Sequence, residues 1–196
     1  GEPLSDTNPL LLSGMPAAVD TLHQAVQSQS PIAIYGDYDV DGVTASALLY
    51  EFLQKLGLEA RVYIPNRFDE GYGVNLEAIQ TLADEGIKLI ITVDCGIRST
   101  QEIALANNLG MGVIITDHHL PGDILPEALA VVNPHQEGDV YPYKYLAGVG
   151  LAYKLAQAYL QVFPVEGVSA DDWLDLVALG TVADVAPLTG ENRFLV

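Results

Sequence analysis

The 196-residue chain sets 26 acidic residues against eight basic ones, a formal charge of −18, with 49% hydrophobic residues and one cysteine. That length and apolar content suit one sizeable α/β domain rather than a disordered or disulfide-stapled chain, since Cys95 alone can form no intramolecular bridge. The acidity argues against broad electrostatic attraction to nucleic acid, and no apolar run approaches the roughly 18–20 uncharged residues of a membrane span.

Residues Gly1–Gly14 are turn-rich and end in an apolar patch, Leu10–Leu12. No basic and apolar leader opens the chain, so no secretory signal is expected, and a cytoplasmic location is. Ala18, Val19, Leu22 and Val26 recur at helical spacing and predict a helix over Met15–Gln27. Ile32–Tyr35 reads as a short buried strand, followed by the acidic stretch Gly36–Gly42. A helix over Val43–Leu56 has Ala45, Leu48, Leu49, Phe52 and Leu56 as its apolar face, and Gly57 stops it.

A second strand, Ala60–Ile64, leads into a polar loop, Pro65–Gly73, after which Asn75 caps a helix running through Asp84 to a stop at Gly86. The third strand, Leu89–Val93, precedes Asp94-Cys95-Gly96 and a helix from Ser99 to about Asn108. The fourth, Gly112–Thr116, runs straight into Asp117-His118-His119, and Ala130–Val132 makes a short fifth. Helices over about Val149–Val162 and, after a Ser169 cap, Ala170–Val182 close the chain. Strands alternating with helices predict an α/β fold. It is an open, mostly parallel five-stranded sheet with helices on both faces and further helices at the C-terminus. Residues 1–30 form an extension and helix ahead of a domain spanning 31–196.

In open parallel sheets, ligands bind beyond the carboxyl ends of the strands. Three of the predicted strands end in residues able to bind metal. The first leads to Asp37, Asp39 and Asp41, the third to Asp94, and the fourth to Asp117, His118 and His119. Each has an ordinary explanation when taken alone. An Asp after a strand caps a helix or makes a turn, Asp41-Gly42 is a turn dipeptide, and paired loop histidines are commonly solvated. Cys95 reads as a small buried residue, with no adjacent base to make it a nucleophile. What marks a site is the convergence of separate segments on one sheet edge. Two like charges ~4 Å apart repel by about 4 kcal/mol at an effective dielectric near 20, so gathering carboxylates with almost no local Lys or Arg is costly, and bound divalent cations would remove that cost. Mixed carboxylate and imidazole donors suit Mn²⁺, with Mg²⁺ as the alternative.

The blocks Ile32–Gly42 (IAIYGDYDVDG), Thr92–Gly96 (TVDCG), Ile115–His119 (ITDHH) and Gly180–Leu188 (GTVADVAPL) resemble, in order, the motifs of the DHH phosphoesterase family, named for the triplet at Asp117-His118-His119. Pro65–Asn75 and Leu146–Ala156 look like the family's RecJ-type branch of single-strand exonucleases. Tyr35 stands where the pyrophosphatase and nanoRNA phosphatase branches carry a histidine. The resemblance implies metal ligands at Asp39, Asp41, Asp94, His118 and Asp184, with Asp37 joining them in the RecJ-type branch. It implies that His119 faces substrate phosphate and that Asp117 orients a ligand histidine. Asp184 is promoted by the resemblance alone, since its surroundings otherwise read as the end of an apolar helix. Arg67 is a candidate phosphate contact and Tyr72 a candidate base-stacking ring, although each also reads as an ordinary loop residue.

For activity, the resemblance implies phosphodiester hydrolysis assisted by two ions, Mn²⁺ or Mg²⁺. In the whole protein it implies 5′→3′ digestion of single-stranded DNA in repair and recombination, with single-strand-binding protein as a further partner. RecJ-type proteins also carry a DHH-associated second domain, which these 196 residues lack, so the isolated domain is expected to be weakly active or inactive. Two other readings stay open. One is hydrolysis of short oligonucleotides or cyclic dinucleotides, which the acidity favours. The other is a non-catalytic DHH-like binding domain, which the filled ligand positions disfavour.

Overall fold

Alternate side chains of the central strands enter two separate cores, and this places helices on both faces of the sheet. The computed structural model describes residues 7–66 and 73–196. Its strands are β1 (Ile32–Gly36), β2 (Arg61–Tyr63), β3 (Leu89–Val93), β4 (Gly112–Thr116) and β5 (Ala130–Val132), ordered β2-β1-β3-β4-β5. Every neighbouring pair is parallel. Ile32, Ile34, Ile91, Val93 and Ile114 face one core, where α1 (Met15–Ser28), α2 (Val40–Lys55) and α5 (Gly148–Val162) pack. Ala33, Tyr35, Ile90, Val113 and Ile115 face the other, beneath α3 (Leu76–Asp84) and α4 (Thr100–Asn108). β1 and β3 are buried along their whole length, so each large apolar side chain in them contributes about 1.5–3 kcal/mol.

The helices begin and end where local chemistry places them. Asp39 is extended and its carboxylate accepts from the Gly42 amide at 2.8 Å, so α2 starts at Val40, three residues before the expected Val43. Asp41 therefore sits in the first turn of a helix instead of in a loop. The expected helix over Ala170–Val182 divides into a 3-10 turn, Ala170–Trp173, and α6 (Leu174–Ala183), with the Trp173 indole donating to Glu51 at 2.8 Å. A last short helix, α7 (Gly190–Leu195), lies beyond the expected elements. It is fastened from within by Lys154, which is fully buried and 2.6 Å from the Glu191 carboxylate, while the Tyr141 hydroxyl donates to the same carboxylate.

From β1 the chain crosses by α2 to β2 on one side, and it returns by α3 to β3 on the other. The strand order thus reverses between β1 and β3, and the carboxyl ends of these two strands bound the crevice where sheets of this kind bind ligands.

Candidate metal centre

Four chain segments meet at that crevice. β1 delivers Asp37, Asp39 and Asp41, β3 delivers Asp94, β4 delivers His118 and His119, and the end of α6 delivers Asp184. Their donor atoms form three overlapping sets, each with its members within 4.8 Å of one another. These are Asp37, Asp39 and Asp94; Asp41, His118 and Asp184; and Asp94, His118 and His119. All six positions expected to ligate metal lie in this cluster.

The ligands are held by the backbone around them. Asp41, 1% exposed, accepts from the amides of Gly148 at 2.7 Å and Val149 at 2.8 Å, so a residue of α2 closes the N-terminus of α5. Gly148 permits the approach, because a Cβ there would stand 2.6 Å from the Cβ of Asp94. Gly42 does the same beneath Asp37, whose carbonyl oxygen would lie 2.5 Å from an added Cβ. Asp94 itself holds φ at 60°, a left-handed conformation that Asp and Asn tolerate better than other side chains. Asp37 accepts from the Tyr38 amide at 2.7 Å.

Asp117 is arranged differently from the expectation. One of its oxygens accepts from the Ile97 amide at 2.9 Å, and the other lies 2.7 Å from Nδ1 of His119 and accepts from the His119 amide. It therefore orients His119, the phosphate-facing candidate, and not the ligand candidate His118. Asp117 is buried at the end of β4, and its carboxylate reaches forward two residues. The His119 side chain is 43% exposed at the wall of a cleft of about 620 Å³. The hydrogen bond to Asp117 raises its pKa above the ordinary histidine value against the opposing effect of burial.

The electrostatics fit a cation. Asp94 is 1% exposed and neither of its oxygens has a hydrogen-bond partner. Burial, with Asp41 and Asp39 adding, pushes its pKa up to about 10. Nε2 of His118 lies 3.0 Å from Asp94 and 3.6 Å from Asp41, close enough for attraction, yet without hydrogen-bond geometry to either. Burial raises Asp41 to about 6, offset by the Val149 amide, His118 and the Gly148 amide. Burial likewise raises Asp37 and Asp184. Buried polar groups are normally satisfied, and several carboxylates in one place normally carry neutralising partners. A buried carboxylate with two unpartnered oxygens beside an unpartnered imidazole nitrogen is the donor set of a divalent cation of the Mn²⁺ or Mg²⁺ type.

Arg67 and Tyr72 lie outside the described residues. Cys95 is buried and its thiol pKa is pushed well up by burial, as suits an inert core residue. Sequence reasoning missed Asn133. It is fully buried after β5, donates to the His119 carbonyl at 2.8 Å and accepts from the His135 amide at 2.8 Å, which fixes the turn after β4. A polar residue at the carboxyl end of a strand was the available signal. The Gly148 and Val149 amides were also missed, and their role depends on a contact 107 residues away from Asp41 in the chain.

Known proteins are similar to this chain in sequence and fold. A family model described as "DHH family, N-terminal domain" matches residues 31–181. The chain is 49% identical over 188 residues to the single-stranded-DNA-specific exonuclease RecJ of Bacillus subtilis (strain 168), covering 96% of this chain and 23% of that protein. It is similar to a crystal structure of exonuclease RecJ bound to manganese, with 39% identity and a TM-score of 0.85, over 94% of this chain and 46% of that one. A crystal structure of RecJ in complex with Mn²⁺ from Thermus thermophilus matches at 34% identity and a TM-score of 0.81, over 99% of this chain and 27% of that one. The chain thus spans about a quarter of the length of the curated relative. Among the described residues, no helix is long and apolar enough to cross a membrane.

Proposed function

The chain belongs to the DHH family, and we propose that it forms the metal-binding part of a phosphodiesterase active site that digests single-stranded DNA in the 5′→3′ direction. The observation that carries this is the pair of donor sets with no residue in common: Asp37, Asp39 and Asp94 on one side, Asp41, His118 and Asp184 on the other. Two ions can be held at once, with Asp94 also within reach of His118 to link the two positions. The names of the relatives and the manganese held by the similar structures support the same reading.

Bound divalent ions supply a water of lowered pKa and positive charge for the phosphoryl oxygens. The chain's own residues do the rest. His119, held by Asp117 in one orientation, presents its imidazole to a phosphate at the cleft wall. Asp41, tied to the start of α5, keeps its carboxylate fixed while Asp94 remains desolvated, so the ligands need little rearrangement on binding. In this reading residues 31–196 are the catalytic domain, a DHH-associated domain completes the cleft, and single-strand-binding protein is a partner of the whole molecule.

The test is hydrolysis of labelled single-stranded DNA in Mn²⁺ by the chain joined to its second domain, wild type against Asp39→Ala. Loss of cleavage in the variant is expected, and metal-dependent cleavage that survives it would overturn the assignment. The charge of −18 favours a second substrate class, short oligonucleotides, because a small anion needs no long basic groove. Rates across a series of strand lengths separate the two, since a long-strand exonuclease gains with length and an oligonucleotide phosphodiesterase does not.

A further inference from the structure

We propose that Arg98 binds a second phosphate of the substrate, neighbouring the one that reaches His119, so that the cleft holds a strand at two fixed points. This inference rests on the reading of the site as one for single-stranded DNA. The cleft beside the carboxylate cluster is lined by Ile97, Arg98, Ser99, Glu102, Asp117 and His119, among others. Arg98 is the one Lys or Arg among the described residues lining it.

Cations are scarce in a chain with eight basic residues against 26 acidic ones, and three of those described acquire a carboxylate. Arg61 pairs with Glu85, Lys144 with Asp139 and Lys154 with Glu191. No ion pair to Arg98 is present among the described residues, although Glu102, one helical turn further on, lines the same cleft.

Two hydrogen bonds then fix Arg98 relative to His119. Its Nε donates to the carbonyl of Leu120 at 2.8 Å, immediately after His119. The Ile97 amide donates to Asp117, the same carboxylate that holds the His119 ring. The segments following β3 and β4 are thereby joined as one wall carrying a guanidinium and an imidazole. With Nε engaged, the two terminal amino groups of Arg98 remain for a phosphate, a geometry to which the planar guanidinium is suited. Ser99 adds a hydroxyl on the same wall, heading α4 without a side-chain capping bond. A strongly acidic domain can in this way hold a polyanion by a point contact where it lacks a basic groove.

The probe is a fluorescein-labelled, 5′-phosphorylated oligothymidylate with phosphorothioate linkages, bound to the Mn²⁺-loaded chain and read by fluorescence anisotropy. Arg98→Ala should weaken binding about tenfold and reduce the slope of log affinity against log salt by about 0.7, the value for one lost contact to a single strand. Arg98→Lys, which keeps the charge but not the Nε bond to Leu120, should recover part of the affinity and the full salt slope. Arg98 is exposed, so an unchanged urea midpoint is expected for both variants. Equal affinity and slope for wild type and Arg98→Ala, or no binding by wild type, would overturn the proposal. Calorimetry with Mn²⁺ alone separates the two levels. A wild type that takes up no Mn²⁺ defeats the functional reading beneath, whereas one that takes up Mn²⁺ and binds DNA indifferently to Arg98 defeats this inference only.

Discussion

Asp94→Asn is predicted to act in opposite directions on the metal-free and the metal-loaded protein. Asp94 is 1% exposed, and burial beside Asp41 and Asp39 pushes its pKa from 3.8 to about 10. At pH 7 without metal, the folded chain holds a proton there that the unfolded chain releases. At about 1.4 kcal/mol for each pH unit above the unfolded value, that costs on the order of 4 kcal/mol. The folded pKa is the raised one, so this group's contribution to stability is complete below 3.8 and is lost as pH rises toward 10. Asparagine keeps the shape, removes the charge and tolerates the left-handed backbone at this position. After EDTA treatment the variant should be more stable than wild type at pH 7 by a few kcal/mol, roughly 2–4 °C in Tm for each, and flatter between pH 5 and 9. In saturating Mn²⁺ the order should reverse, because two ions at a hundredfold excess over Kd, about 2.7 kcal/mol each, give wild type about 5.4 kcal/mol, more than the cost of the buried carboxylate, and the variant gains little. Urea denaturation across the pH series, with and without Mn²⁺, reads both effects. A metal-free variant less stable than wild type throughout would refute the description of Asp94 as a buried carboxylate in need of a cation.

Gly148→Ala places a Cβ 2.6 Å from the Cβ of Asp94 and 2.8 Å from its Oδ1, so stability should fall by about 1–3 kcal/mol and Mn²⁺ affinity at least tenfold by calorimetry. Unchanged affinity would contradict the close approach of α5 to the ligand. Asn133→Ala removes buried hydrogen bonds to the His119 carbonyl and the His135 amide, and should cost about 1–3 kcal/mol in urea while displacing the His118 and His119 ring signals in NMR spectra. Lys154→Met leaves the buried Glu191 carboxylate without its cation and should cost about 3–5 kcal/mol, whereas adding Glu191→Leu should recover much of the loss. A double variant no more stable than the single would show that the pair is not the origin of the cost.

The sheet was legible because its strands are short apolar runs separated by helix-length segments, and all five fall within a residue or two of their expected positions. The start of α2 was not, because the capping bond from Asp39 to Gly42 competes with the look of an acidic loop, and only the structure shows which prevails. α6 is apolar around its whole circumference, so periodicity gave Asp184 no distinction, and its membership of the site came from the family motif. α7 is six residues long and depends on Glu191 meeting Lys154 and Tyr141, contacts spanning 37 and 50 positions, which no local pattern announces. The pairing of Asp117 with His119 is local, yet two adjacent histidines offer the same carboxylate two partners, and backbone direction after β4 decides between them.

The central claim is that these carboxylates and His118 hold two divalent ions. Calorimetric titration of the metal-stripped chain with Mn²⁺, wild type beside His118→Ala, tests it most directly. Two ions bound by wild type, with one lost or both markedly weakened in the variant, is the predicted result. No uptake by wild type, or equal uptake by the two proteins, would contradict it.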